Sequence, residues 1–302
     1  MSEEIDYDYF EIKIPSTKSN LVTTEDFMLS LGACSVTYRD ADDVPILEPL
    51  PGQTPLWNNI LVTAMFTKDF NEEKIVQAAR NKFNNHQIIS ERLKNQIWER
   101  TWLEHFKPMC FGDNTWIIPS EFDAVDIDAI NIYLDPGLAF GTGTHATTSL
   151  CLQWLDAYNV QGKTAIDFGC GSGILAIAAL KHGAKKVYCT DIDPQAIEST
   201  CLNAKTNKVY DGIEIIKANE ISALKNLDII LANILAAPLM SLVHTFYDLL
   251  SDEGELIMSG ILAEQTDEIV AKFSPSFVDF QINIEDDWAS VCARKKPSIK
   301  KG

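Results

Sequence analysis

The sequence has no long hydrophobic run, no paired-cysteine motif and few basic residues. No stretch approaches the 18 or more consecutive apolar residues of a membrane-spanning helix. The seven cysteines never occur as C-x-x-C, which argues against zinc ligation or a disulfide framework, so we expect reduced thiols in the core. The acidic start MSEEIDYDYF lacks the basic flank and apolar stretch of a secretory signal. These absences predict a cytoplasmic protein with no membrane segment and no metal.

The charge balance limits the possible partners. With 25 basic and 43 acidic residues the formal net charge is −18, which disfavours direct nucleic-acid binding and favours a basic partner. Acidity also serves solubility alone in many proteins. The 302 residues, 46 % of them hydrophobic, are enough for two packed domains.

The first part of the chain twice repeats the order strand, helix, strand. Residues 9–15, 34–40, 59–66 and 86–93 have strand patterns, with helical patterns at 17–31 and 71–83. This order predicts a ferredoxin-like α+β domain over residues 1–95. A helical linker with an aromatic stripe is expected over 96–109, ended by Pro108.

From residue 110 to 297 short apolar strands alternate with helices. That alternation predicts a second domain with a doubly wound, mostly parallel α/β sheet, which two terminal antiparallel strands complete to seven. The seven strand-like stretches are at residues 163–168, 187–191, 213–217, 227–232, 255–259, 277–287 and 288–295.

The segment DFGCGSG at residues 167–173 predicts a ligand-binding turn. Its three glycines follow a strand and precede a helix, where a side chain would obstruct a ligand. Beginning at Gly171, GSGILA matches the dinucleotide pattern G-x-G-x-x-A, and Asp191 lies at the spacing of a ribose-binding acid. Beginning at Asp167, the same segment suits any adenosine-containing ligand. The loop alone leaves both cofactor classes open.

Three features outside the loop favour an adenosine-containing cofactor other than a nicotinamide dinucleotide. Asn233 ends the strand LDIILAN, where its amide offers a donor and an acceptor, with helix capping as the rival role. A nicotinamide enzyme would need a substrate domain after the loop, yet the loop lies past the midpoint of the chain. The preceding stretch of 22 residues, LDPGLAFGTGTHATTSLCLQWL, is rich in Gly and Thr and begins a helix near Thr144. We therefore expect it to lie over the cofactor as a second wall of the site.

Together with TDID and ANIL, the glycine segment resembles a class I methyltransferase that uses S-adenosylmethionine. The 22-residue stretch closely resembles the bacterial ribosomal protein L11 methyltransferases, and the likeness includes EPLPGQTPLW and WERTWLEHFKPM. The sequence differs at Ala146, where proline is common, and this changes only local backbone stiffness. The resemblance implies that residues 1–95 recognise the substrate and residues 110–297 catalyse methyl transfer.

The resemblance also implies site residues and a reaction. Cofactor contacts fall on Thr148, Gly169, Asp191 and Asn233, with Thr147, Gly171 and Phe140 as neighbours. The acid would take the ribose, the glycine loop the methionine end, and Asn233 would orient the amine. No general base is expected, and His145 is interpreted as a structural donor. The implied substrates are lysine side chains and the N-terminal amine of L11, free before ribosome assembly, and the implied enzyme is a monomer.

Other functions remain open from the residues alone. They are a methyltransferase for a small molecule or another protein, a nicotinamide oxidoreductase, and a binding module that keeps the pocket without catalysis.

Overall fold

The protein forms two compact units, residues 1–102 and 103–302. The structure, a computed structural model, describes residues 7–42, 55–84, 87–94, 107–134 and 145–297. The predicted linker helix lies mostly outside these ranges, so the linker and the domain boundaries at 95 and 109 stay predictions. No helix in the described ranges has both the length and the apolar character needed to cross a bilayer.

The N-terminal unit is an antiparallel four-stranded sheet with two helices. Its strand order, β2-β3-β1-β4, is that of a ferredoxin-like domain, as predicted. The elements are β1 (Tyr7–Thr17), α1 (Leu21–Ser30), β2 (Ser35–Asp40), β3 (Asn59–Thr67), α2 (Glu72–Phe83) and β4 (Ile89–Lys94).

Alternation of apolar and polar residues explains this sheet. Phe10, Ile12 and Ile14 of β1 are buried, whereas the residues between them face outward. α2 begins after Asn71, whose side chain accepts a hydrogen bond from Lys74 N at 2.9 Å. The unit therefore has its own apolar core.

The second unit begins with a small sheet that the sequence did not predict, because its strands have only three or four residues. They are β5 (Met109–Phe111), β6 (Thr115–Ile118) and β7 (Ile130–Tyr133). Asp156 ties this sheet to the following helix by accepting from Thr115 Oγ1 at 2.6 Å and Asp113 N at 2.7 Å. Thr115 Oγ1 also lies 2.7 Å from His182 Nε2.

A seven-stranded, mostly parallel sheet forms the centre of the second unit, which confirms the predicted fold class. Its order is β10-β9-β8-β11-β12-β14-β13, and β14 is antiparallel to both β12 and β13. The strands are β8 (Thr164–Phe168), β9 (Lys186–Thr190), β10 (Ile213–Ile215), β11 (Leu227–Asn233), β12 (Leu250–Leu262), β13 (Phe277–Glu285) and β14 (Trp288–Lys295).

Helices pack on this sheet and two apolar clusters form the core. The N-terminal part of α3 (Ala146–Ala157) is almost completely buried, and α4 (Ile174–Lys181) buries six of its eight residues. The helices are α3 (Ala146–Ala157), α4 (Ile174–Lys181), α5 (Pro194–Thr206), α6 (Ala236–Ser241), α7 (Val243–Leu249) and α8 (Thr266–Phe273).

The cysteines differ in part from the prediction. All seven are free thiols, and Cys151, Cys170, Cys189 and Cys292 are buried as expected. The prediction that all seven lie in the core is wrong for Cys34 and Cys110, which are exposed. Cys34 precedes β2 and Cys110 lies in the short strand β5, so an apolar sequence neighbourhood did not guarantee burial at either place.

Candidate functional site

A cavity of about 760 Å³ opens at the carboxyl ends of β8, β9 and β11 in the second unit. This edge of a doubly wound sheet, where the strand order reverses beside the first strand, is the usual ligand site of such folds. The volume is in the range of cofactor pockets. Its lining includes Thr147, Thr148, Gly169, Gly171, Asp191 and Asn233, so the structure brings together six of the seven predicted site residues. Phe140 lies outside the described residues.

The glycine loop needs glycine for steric reasons. Gly169, Gly171 and Gly173 all have positive φ angles, of 78°, 54° and 80°. A Cβ on Gly169 would overlap Cγ2 of Ile234, and one on Gly173 would lie 2.9 Å from Cγ2 of Thr200. The bare backbone at the first position therefore makes room for the loop after β11.

Asp191 stabilises the loop from the end of the neighbouring strand. Its Oδ2 accepts from Gly171 N at 2.9 Å, and its Oδ1 accepts from Asp193 N at 3.0 Å. A carboxylate has about four acceptor positions, so both oxygens keep capacity for ligand hydroxyls. The side chain can thus hold the loop and a ribose at the same time.

Asn233 is joined to the helix on the opposite wall. Its Nδ2 donates to Thr148 Oγ1 over 3.2 Å, and the Thr148 side chain is completely buried. α6 begins at Ala236 after Leu235 and has no side-chain cap, so Asn233 does not have the rival capping role. The amide is instead fixed at the cavity, with its carbonyl oxygen as an acceptor.

His145 has a structural role at the start of α3, as the sequence predicts. It is the N-cap of α3, where its Nδ1 accepts from Thr147 N at 3.4 Å and lies 2.8 Å from Thr147 Oγ1. This bond satisfies one of the free amide hydrogens at the start of the helix, and donation by the other ring nitrogen stays a prediction. The ring also contacts Trp288 edge to face, with 4.8 Å between centroids.

Asp167, at the base of the loop, is a buried carboxyl group. Only 1 % of the residue is exposed, and its Oδ2 accepts from Ala176 N at 3.0 Å. Burial, together with the smaller effect of the nearby Asp191, raises the pKa of Asp167 to about 7, although the hydrogen bond from Ala176 acts in the opposite direction.

Sequence reasoning missed the apolar part of the cavity. The lining after β10 consists of Ala218 and Ile221. At α6 it consists of Pro238, within the helix, and Leu242, just after it. Trp288, the first residue of β14, completes this part. No motif identifies the first four. Trp288 could have been found only with the register of β14 on β12, which contains an irregularity.

The site fits a nucleoside-containing donor such as S-adenosylmethionine. The glycine cradle would be filled by a Cβ, the carboxylate of Asp191 lies at its end, and the remaining lining is mostly apolar. The carboxylate of Asp191 can accept hydrogen bonds from ligand hydroxyl groups, and the apolar lining offers a surface for an adenine base.

Comparisons with known proteins agree over almost the whole chain. The family described as "Ribosomal protein L11 methyltransferase (PrmA)" matches residues 8–296. The ribosomal protein L11 methyltransferase of Enterobacter sp. (strain 638) is 42 % identical over 295 residues, which cover 95 % of this chain and 99 % of the relative. That of Acinetobacter baylyi is 41 % identical over 297 residues, covering 95 % and 98 %.

A solved structure agrees as well. The ribosomal protein L11 methylase from Lactobacillus delbrueckii subsp. bulgaricus is similar with a TM-score of 0.58 and 33 % identity, covering 63 % of this chain and all of that one. The resemblance seen in the sequence is thereby confirmed by matches that include both units. The chain belongs to the ribosomal protein L11 methyltransferase family.

Proposed function

We propose that this protein transfers methyl groups from S-adenosylmethionine to lysine side chains and the N-terminal amine of ribosomal protein L11. The observation that carries this proposal is the cavity in which a glycine cradle, Asp191 and Asn233 end three adjacent strands. Membership of the family supports the substrate. No metal is included in the proposal.

Each residue has a role in this reaction. When bound, S-adenosylmethionine supplies a methyl group on a positively charged sulfur. Asp191 would accept hydrogen bonds from the ribose, and the loop from Gly169 to Gly171 would lie against the methionine part. Thr148 and Asn233 would also contact the cofactor, and Asn233 would in addition position the amine. The amine nitrogen forms the new bond to carbon as the carbon–sulfur bond breaks, so the positive charge passes to nitrogen.

Alignment is the main contribution of the protein to this displacement. The methyl carbon is already electrophilic, and fixing both reactants at the near-attack distance removes much of the barrier. The amine has to be neutral, which is true of about one free lysine in 2,500 at pH 7 and about one α-amine in ten. The amide of Asn233 can hold the N–H groups without removing a proton, so no general base is needed.

We also propose that the enzyme acts in the cytoplasm as a monomer, on L11 that is not yet part of a ribosome. Two exposed free thiols, Cys34 and Cys110, support a reducing compartment. The net charge of −18 supports a free basic protein as the substrate, because ribosomal RNA would repel this chain.

The test is methylation of purified L11 followed by mass spectrometry. We expect mass increases in steps of one methyl group on lysine and N-terminal amines when S-adenosylmethionine is present. L11 with all amines acetylated is the matched control and should gain no mass. Label on other proteins of a ribosomal extract, with none on L11, would reject L11 as the substrate, and stabilisation by a nicotinamide nucleotide alone would favour an oxidoreductase.

A further inference from the structure

We propose that the end of the cavity beyond Asn233 takes up the acceptor amine and lowers its pKa, so that the neutral nucleophile forms without a base. This acceptor end is lined by Leu235, Gly260 and Trp288. The inference rests on the proposed function and assigns the indole of Trp288 a role in amine binding.

The order of strands gives the cavity a direction. Five consecutive strands, in the order β9, β8, β11, β12 and β14, contribute to its lining. In the same order, the contributions are Asp191, the glycine loop, Asn233, Gly260 and Trp288. With about 4.8 Å per strand, the two ends are roughly 19 Å apart. If Asp191 takes the ribose, the amine has to enter from the side of Trp288.

A bulge in β12 brings Trp288 to this edge. Met258 is paired with Val291 and Ile261 with Ala289, so two residues, Ser259 and Gly260, oppose the single residue Ser290. Gly260 has a φ of 79°, and a Cβ there would lie 2.5 Å from the carbonyl oxygen of Ile234. The bulge therefore lets β12 approach the loop after Asn233, with Trp288 paired to Leu262 at the mouth.

The acceptor end offers an ammonium ion no negative partner among the described lining residues. The carboxylates in that lining are Asp167 in β8 and Asp191 after β9, both on the proposed ribose side of Asn233. An ammonium group at the partly buried Trp288 would lose part of its water without gaining an ion pair, and desolvation lowers the pKa of an amine, by up to about 3 to 5 units for one that is fully buried. The attraction of the indole for a cation acts in the opposite direction and offsets about 1.5 units in a desolvated pair. The balance favours the neutral amine.

Charged groups nearby lie on the solvent side. Asp286 and Asp287 precede Trp288 in the turn between β13 and β14 and are exposed, as is Glu264 after β12. Glu285 accepts from Ser149 Oγ at 2.9 Å, and His145 contacts the indole from α3. Exposed acids attract an amine to the mouth, but water screens their effect on its pKa.

The experiment places a carboxylate at the acceptor end and follows the pH dependence of kcat at saturating peptide, because kcat reports the pKa of the bound amine whereas kcat/KM reports that of the free peptide. The substrate is an L11 peptide with one lysine and an acetylated N-terminus, at saturating S-adenosylmethionine. In Trp288→Glu we expect the midpoint of the rising limb to move up by about one pH unit or more, because an opposite charge within hydrogen-bond range stabilises the ammonium. Trp288→Phe should keep the wild-type midpoint.

Two further variants make the result specific. Ile284→Glu adds the same charge to β13 at a side chain that is 59 % exposed and not part of the cavity lining, so it should leave the midpoint unchanged. Leu235→Glu tests the same end at a residue that is 53 % exposed, where a carboxylate does not threaten folding. It should also raise the midpoint, but by less than Trp288→Glu, because water partly screens a half-exposed carboxylate.

The outcomes separate the two proposals. A lower plateau with an unshifted midpoint in both Trp288→Glu and Leu235→Glu would overturn the inference, and so would an equal shift in Ile284→Glu. If the wild-type protein binds S-adenosylmethionine in calorimetry but methylates neither L11 nor the peptide, the proposed function fails instead.

Discussion

Asn233 Nδ2 donates a hydrogen bond to the buried Thr148 Oγ1 across 3.2 Å, and this contact connects β11 to α3 on opposite walls of the cavity. Donation by Nδ2 leaves Oδ1 as an acceptor for the proposed amine. The contact therefore gives the orientation of the acceptor a structural basis.

Removing this hydrogen bond should slow transfer more than it weakens cofactor binding. For Thr148→Val we expect kcat to fall about two- to tenfold, in line with about 0.5–1.5 kcal/mol for one hydrogen bond. A double-mutant cycle with Asn233→Ala measures whether the two residues act together. Additive losses in that cycle would show that they act independently.

Asp191→Ala should weaken S-adenosylmethionine binding at least tenfold. The change removes a charged acceptor, worth about 1.5–3 kcal/mol, and releases Gly171 N. Calorimetry measures the dissociation constant. Asp193→Ala is the matched control, because Asp193 caps α5 through Gln195 N and its loss should reduce stability with little effect on affinity. Equal affinity losses in the two variants would contradict the ribose role.

Gly169→Ala should be more destabilising than Gly162→Ala, although the two glycines have similar φ angles of 78° and 73°. A Cβ at Gly162 meets nothing within 4 Å, so only the backbone cost of about 1–2 kcal/mol applies there. At Gly169 the overlap with Ile234 should add about 1–3 kcal/mol. Urea unfolding gives both values, and adding Ile234→Ala should recover part of the extra loss.

The buried carboxyl of Asp167 should make stability depend on pH. Its folded pKa of about 7 lies above its unfolded value, so the folded state binds the proton more tightly. Its contribution to the unfolding free energy is therefore complete below about pH 4. That contribution is lost as the pH rises to about 7, with a slope of at most about 1.4 kcal/mol for each pH unit.

Comparison with Asp167→Asn isolates this effect, since other titrating groups cancel in the difference. We expect the unfolding free energy of the wild type, relative to the variant, to fall between about pH 4 and pH 7. A pH-independent difference would mean that the fold does not shift the pKa of this carboxyl.

Salt should slow the capture of L11 more than it weakens cofactor binding. Ribosomal proteins are typically basic, and a chain with a net charge of −18 attracts them over long distances that salt screens. Stopped-flow association rates and calorimetric cofactor affinities between about 50 mM and 500 mM salt provide the comparison. Equal salt dependence of the two would remove the steering role of the acidic surface.

The sequence predicts most of the polar site because its residues lie at strand ends. Gly169, Asp191 and Asn233 each follow an apolar run, and the carboxyl ends of parallel strands meet at one edge. The fold class follows from the same alternation of strands and helices.

The remainder depends on register and on contacts distant in sequence. Trp288 reaches the cavity only because two residues of β12 oppose one of β14, and no local pattern reveals that bulge. The strands β5 to β7 are too short for a periodic signal, and Asp156 holds the first two through hydrogen bonds from residues more than 40 positions away.

The insertion of β14 between β12 and β13 also affects biosynthesis. β13 has β14 as its only strand partner in the described sheet, so it cannot join the sheet until residues 288–295 have been translated. During translation, therefore, the ribose-binding side of the cavity can form before the wall that contains Trp288. A nascent chain that stops before this last strand would leave the edge of β12 unpaired and open to association with other chains.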